Sequence, residues 1–109
     1  MTIFAQDQQK EHLMTELDPL VKMIIDVTSN DYESYEDLLK EIADWAKEEN
    51  LAYSNKLVVE ALLQAIKKNY VESFSYSEQQ QEFEVAKATT RELHHLYYFA
   101  TVTGKKILS

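Results

Sequence analysis

The chain contains no cysteine. Disulfides, thiolate nucleophiles and cysteine-based metal sites are excluded by that absence. Glycine and proline occur once each in 109 residues. Sheet proteins place Gly and Pro at their many turns, whereas a few long helices need neither, so the scarcity predicts an all-α fold. Long apolar runs are also missing: nothing approaches the roughly 18 residues required to span a bilayer. The opening MTIFAQDQQKEH has no basic segment followed by an apolar one, which reads as no signal peptide. The expectation is a cytoplasmic chain with no direct membrane insertion. Positive charge is short as well, with 11 Lys and Arg against 19 Asp and Glu, a net −8. Phosphate binding rests on Lys and Arg, so this balance argues against a nucleic-acid partner.

What remains is 45% hydrophobic and 28% charged, too apolar for disorder and long enough for one domain, residues 1–109, with a modest core. Charge is unevenly distributed. Residues 31–50 hold eight acids against Lys40 and Lys47, net −6, while residues 87–109 hold Lys87, Arg91, Lys105 and Lys106 against Glu92, net +3. An acidic middle and a basic end read first as solvated helix faces with a cationic helix C-terminus that suits the macrodipole, and alternatively as two different surfaces.

The most continuously apolar stretch is NKLVVEALLQAIKKNYV, from Asn55 to Val71. Its apolar residues cover most of a helix circumference, which predicts a central helix covered on several sides. Leu13, Leu17, Leu20, Val21, Ile24 and Val27 repeat at three and four, an amphipathic helix interrupted at Asp18-Pro19. Ser34 caps a second helix with Glu36 and Asp37 in its first turn. Ser54 caps the central one. Phe74-Ser75-Tyr76 reads as a short aromatic link, and Ser77-Glu78-Gln79-Gln80 as a capping box opening a fourth helix. Gly104 serves as the stop beyond that helix. The sum is an antiparallel four-helix bundle, with helices over residues 7–28 (broken at Pro19), 35–49, 55–72 and 78–102.

Catalytic chemistry finds little support. Glu92-Leu93-His94-His95 contains one Glu-x-x-His spacing, but a di-iron bundle needs a second pair, and His12 is preceded three residues earlier by Gln9. No glycine-rich phosphate loop exists, and nothing assembles a Ser–His–acid set. The expectation is a protein with no enzymatic activity, cofactor or metal. Tyr97-Tyr98-Phe99 puts aromatics on adjacent faces of one helix, so at least one should stay outside the core; packing under the aromatic link 74–76 is the default reading and an interaction surface the alternative.

The second half, with KLVVEALLQAIKKNY, an aromatic link, Ser-Tyr-Ser-Glu-Gln-Gln, Arg91-Glu92-Leu93 and Leu96-Tyr97, resembles the enterocin A immunity-type family, the immunity proteins for class IIa (pediocin-like) bacteriocins. The resemblance spans roughly residues 34–100. It implies a cytoplasmic four-helix bundle that recognises the membrane part of the mannose phosphotransferase permease once bacteriocin has engaged it. It attributes specificity to the C-terminal half, here Arg91, His94, His95, Tyr98, Lys105 and Lys106 as partner-binding residues. The alternative is an acidic protein-binding module that mimics DNA charge through Glu33, Glu36, Asp37, Glu41, Asp44, Glu48 and Glu49.

Overall fold

The computed structural model describes residues 18–109. It is a mixed α/β structure of four helices and a four-stranded antiparallel sheet, and it overturns the all-α four-helix bundle. The elements are α1 (Pro19–Val27), β1 (Glu33–Ser34), α2 (Tyr35–Glu48), α3 (Asn55–Lys67), β2 (Val71–Ser77), β3 (Glu82–Val85), a 3-10 turn (Leu93–His95), β4 (Tyr97–Ala100) and α4 (Val102–Leu108). The expected helical span 7–17 lies outside the described residues.

Local chemistry sets the start of each helix. The Asp18 side chain accepts from the Leu20 amide at 2.8 Å, with Pro19 in the first helical turn of α1. Ser34 and Ser54 hydroxyls accept from the Asp37 and Leu57 amides, each at 3.2 Å, and so open α2 and α3. Both helices end on asparagine. Asn50 and Asn69 take left-handed φ values of 56° and 62°. The Leu51 amide then donates to the Ala46 carbonyl and the Tyr70 amide to the Ala65 carbonyl, each at 2.8 Å, which closes a Schellman motif at each end. α3 therefore stops at Lys67 rather than continuing to residue 72.

The helix expected to be central is buried on one face only. Val58, Ala61, Leu62 and Ala65 lie inside, while Leu57 is 41% exposed. The hub is α1, which packs on α2, α3, α4 and β4, with Ile24 and Ile25 fully buried.

The fourth helix is absent, and residues 71–100 form a sheet instead, in the order β1-β4-β2-β3. Val71-Glu72-Ser73-Phe74-Ser75-Tyr76-Ser77 alternates small residues with large or charged ones, the period of a strand. β2 pairs with β4 (Val71↔Ala100, Ser73↔Tyr98) and with β3 (Phe74↔Val85, Tyr76↔Phe83). Val71, Ser73, Tyr98 and Ala100 face the helices and are buried. The opposite face carries Phe74, Tyr76, Phe83, Tyr97 and Phe99, joined by Tyr32, whose ring stacks on Phe83 at 3.8 Å between centroids and meets Phe74 and Phe99 edge-on. The Phe74-Ser75-Tyr76 link is thus the middle of β2.

The capping-box residues serve a hairpin. The Ser77 hydroxyl accepts from the Gln80 amide at 3.3 Å, and Gln81, at φ 55°, turns the chain into β3. Gly104 lies inside α4, not beyond a helix. Thr101 caps α4 by accepting from the Gly104 amide at 3.0 Å and donates to the Asn69 carbonyl at 2.6 Å, tying α4 to the end of α3. Thr101→Ala is expected to cost about 1–2 kcal/mol, measured by urea denaturation.

Candidate functional site

α2 and α3 are consecutive helices joined by residues 49–54, and β2 and β3 follow as a hairpin whose first strand also pairs with β4. The apolar spacing of Val58, Ala61, Leu62 and Ala65 turns one face of α3 inward, so Lys56, Glu60, Gln64 and Lys67, at intervals of four and three, form an exposed stripe. Tyr53 and Asn55 precede it, with the Tyr53 hydroxyl donating to Asn55 Oδ1 at 3.1 Å. Elsewhere in the C-terminal half, the segment after β3 carries Lys87 and Arg91, both exposed. These side chains offer the donors and acceptors that read base edges and phosphates: Asn and Gln for adenine, Lys and Arg for guanine and backbone.

The charge is divided between the two halves of the fold. Residues 18–50 hold ten acids against three Lys, net −7, whereas residues 51–109 hold seven Lys and Arg against six acids, net +1. Much of the acid lines a groove of about 450 Å³ between α1 and α2, where Asp26, Glu33, Glu41, Asp44 and Glu48 surround Met23 and Trp45. No α3 residue lines it. The whole-chain charge therefore does not describe the α3 surface.

Burial, then repulsion from Glu41, Asp37 and Asp31, raises the Glu33 carboxyl above its usual range. The folded protein holds that proton more tightly than the unfolded chain. Stability thus falls as pH rises from the ordinary Glu range through the raised value, and ionised Glu33 is a net cost at neutral pH. Glu33→Gln is expected to raise the melting temperature at pH 7 by a gain below about 1 kcal/mol, with the advantage vanishing in acid. A lower melting temperature at pH 7 would contradict this.

Of the residues drawn from the resemblance, Tyr98 is buried and the other five are exposed. Tyr98 is 0% exposed and donates from its hydroxyl to the Leu93 carbonyl at 2.6 Å, so it is a core residue and not a partner contact. His94 and His95 are exposed, their rings 3.8 Å apart, and line a depression of about 320 Å³ with Ser34, Tyr35 and Glu36. Arg91 is exposed in the preceding loop. Lys105 and Lys106 are exposed on α4, with Lys105 Nζ 4.8 Å from the centre of the Phe99 ring. Lys56, Glu60, Gln64 and Lys67 went unassigned because α3 was read as apolar nearly all round; their spacing was the available signal. Among the described residues, no group of three or more His, Asp or Glu is placed to hold a metal, and no helix is long and apolar enough to cross a membrane. Comparison with protein-family models, curated proteins and solved structures finds no match.

Proposed function

We propose that the protein is a non-enzymatic duplex-DNA-binding module of winged-helix type, with α3 entering the major groove; the β2–β3 hairpin, which carries exposed Glu72, Glu78, Glu82 and Glu84 and no cation, makes no phosphate contact in this reading. The observation that carries this reading is the exposed polar stripe Lys56, Glu60, Gln64 and Lys67 on α3, the second of two consecutive helices. The order α1-β1-α2-α3-β2-β3, with β4 placed between β1 and β2 in the sheet, supports it as a topological analogy. The few cations available, Lys56, Lys67, Lys68, Lys87 and Arg91, imply few phosphate contacts and a shallow salt dependence. Base contacts would then carry an unusually large share of the affinity.

The test is fluorescence anisotropy with labelled duplexes, first of random sequence and then selected from a random pool. Binding to random duplex is expected in the range of about 10⁻⁴–10⁻⁶ M, weakening as salt rises from about 50 to about 200 mM. Lys56→Ala with Lys67→Ala is expected to reduce the salt slope by about two. No anisotropy change on any duplex at low salt would overturn the reading.

Immunity to a class IIa bacteriocin, acting on the mannose phosphotransferase permease from the cytoplasmic side, is the competing proposal. Exposure of Arg91, His94, His95, Lys105 and Lys106 is on its side. Loss of the helix over 78–102, one of the elements on which the resemblance rests, counts against it. Expression in a sensitive host challenged with a panel of such peptides separates the two: selective survival supports immunity, and uniform killing with DNA binding supports the winged-helix reading.

A further inference from the structure

We infer that the groove between α1 and α2 receives a cationic amphipathic helix from another protein. Its floor is apolar: Pro19, Met23, Trp45 and Leu108 line a volume of about 370 Å³. Met23, Asp26 and Trp45 also line the adjoining volume of about 450 Å³, so the two form one continuous groove. Carboxylates from three elements stand along it: Asp26 on α1, Glu33 on β1, and Glu41, Asp44 and Glu48 on α2. Among the described lining residues, Lys22 is the single cation. Pro19, Met23 and Asp26 fall at intervals of four and three on α1, and Glu41, Asp44, Trp45 and Glu48 at three, one and three on α2. Each set therefore shares one face of its helix, and the α2 set runs about 10 Å, or two turns. Helix-in-groove recognition lays apolar anchors on a floor of this kind, at the same spacing. Trp45 is half-buried, so the fold holds the ring while part of it stays open to a partner. An indole face also attracts Lys and Arg.

Charge decides which occupant fits. Burial and then repulsion from Glu41 already raise the Glu33 carboxyl, and a cationic partner would offset that crowding of like charge. The chain offers no such cation itself. The segment ahead of residue 18 carries Asp7, Glu11 and Glu16 against Lys10, the wrong sign for this groove. α4 lends the groove Leu108 alone, while Lys105 lies over Phe99 on the outer face of the sheet. Duplex DNA carries the same sign as the groove and is repelled. A basic helix with an apolar face satisfies both the floor and the walls. No α3 residue lines the groove, so the inference does not depend on the DNA-binding reading.

Trp45 is the only tryptophan in the chain, so its emission reports on this groove. The probe is a synthetic amphipathic peptide of leucine and lysine, about four helical turns long and free of tryptophan, titrated into the full chain. A saturating blue shift of Trp45 emission is expected as the peptide displaces water from the ring, and anisotropy of the labelled peptide gives the affinity. Asp44→Lys with Glu48→Lys is expected to weaken binding at least about tenfold. Glu82→Lys with Glu84→Lys is expected to change it less than about twofold, because β3 lies three strand spacings from β1, about 14 Å, beyond the Debye length of about 8 Å at physiological salt. Circular dichroism verifies that each variant folds. A lysine–serine peptide of equal charge, with no apolar anchor, is expected to bind at least about tenfold more weakly. An emission unmoved by millimolar peptide would overturn the inference. So would equal losses in the two variants, or equal binding of the lysine–serine peptide, since either result means attraction to net charge and not to the groove. A Trp45 already shielded from acrylamide in the free chain and unresponsive to peptide would assign the groove to residues 1–17 or to a second copy, and would overturn it too.

Discussion

Tyr98→Ala is expected to lower the urea midpoint of unfolding sharply. Among the described residues Tyr98 is the largest fully buried side chain, on an inner strand of the sheet and facing the helices. Truncating a buried aromatic costs about 3–5 kcal/mol, and a domain of this size holds roughly 5–15 in total. The hydroxyl adds a separate contribution through its bond to the Leu93 carbonyl. Tyr98→Phe keeps the ring and leaves that carbonyl with the Leu96 amide alone, at 3.3 Å, for a cost of about 0.5–1.5 kcal/mol. Urea titrations of the two variants separate packing from hydrogen bonding. Burial, with a smaller contribution from Tyr35, also raises the Tyr98 phenol above its ordinary value. The unfolded chain then loses this proton first. Stability present below the ordinary tyrosine range, about pH 10, is lost as pH climbs beyond it. Tyr98→Phe is expected to flatten that alkaline decline; an unchanged decline would mean that another group causes it.

Gly104→Ala is expected to destabilise the fold, opposite in sign to the usual gain. In an exposed helix interior, alanine is worth about 0.8–1.0 kcal/mol over glycine. Here an added Cβ would overlap the Tyr70 carbonyl oxygen and lie 2.9 Å from its carbon. Neither atom belongs to a flexible side chain, and the same oxygen already accepts from the Thr101 amide at 2.9 Å. α4 would have to lift from the chain beneath it, with a loss at the upper end of about 1–3 kcal/mol. A melting temperature equal to or above that of the unaltered chain would show that α4 moves freely.

The N-caps at Asp18, Ser34 and Ser54 were legible because a cap is a contact between residues two or three apart. The sheet was not. Its central pairing joins Val71 to Ala100, and nothing local in Tyr97–Ala100 distinguishes a buried strand from an amphipathic helix. Ser77 and Gln80 make the same hydrogen bond in a hairpin loop as they would at a helix start, so the capping box had two readings. Glycine scarcity misled for a physical reason. Asn50, Asn69 and Gln81 supply the left-handed turns, a conformation that Asn tolerates with little penalty, so few glycines did not mean few turns. The functional surface was half legible. The charge asymmetry could be counted along the chain, but its separation from α3 depends on which helices share a groove. Tyr98 was misplaced because helical spacing sent it outward, whereas strand alternation sends Tyr98 and Ala100 inward together.

The strand order has a consequence for biosynthesis. β4 is the last strand to leave the ribosome, yet it lies between β1 and β2, and the Ala100 amide closes on the Thr28 carbonyl at 2.9 Å. Until residue 100 emerges, β1 has no neighbour and β2 has only the hairpin partner β3. The nascent chain must therefore hold α1, α2 and α3 without the tyrosine that fills the space beneath them. Ribosome-stalled chains ending before residue 97 should remain protease-sensitive throughout, with protection arriving in one step as the final strand slots into the gap.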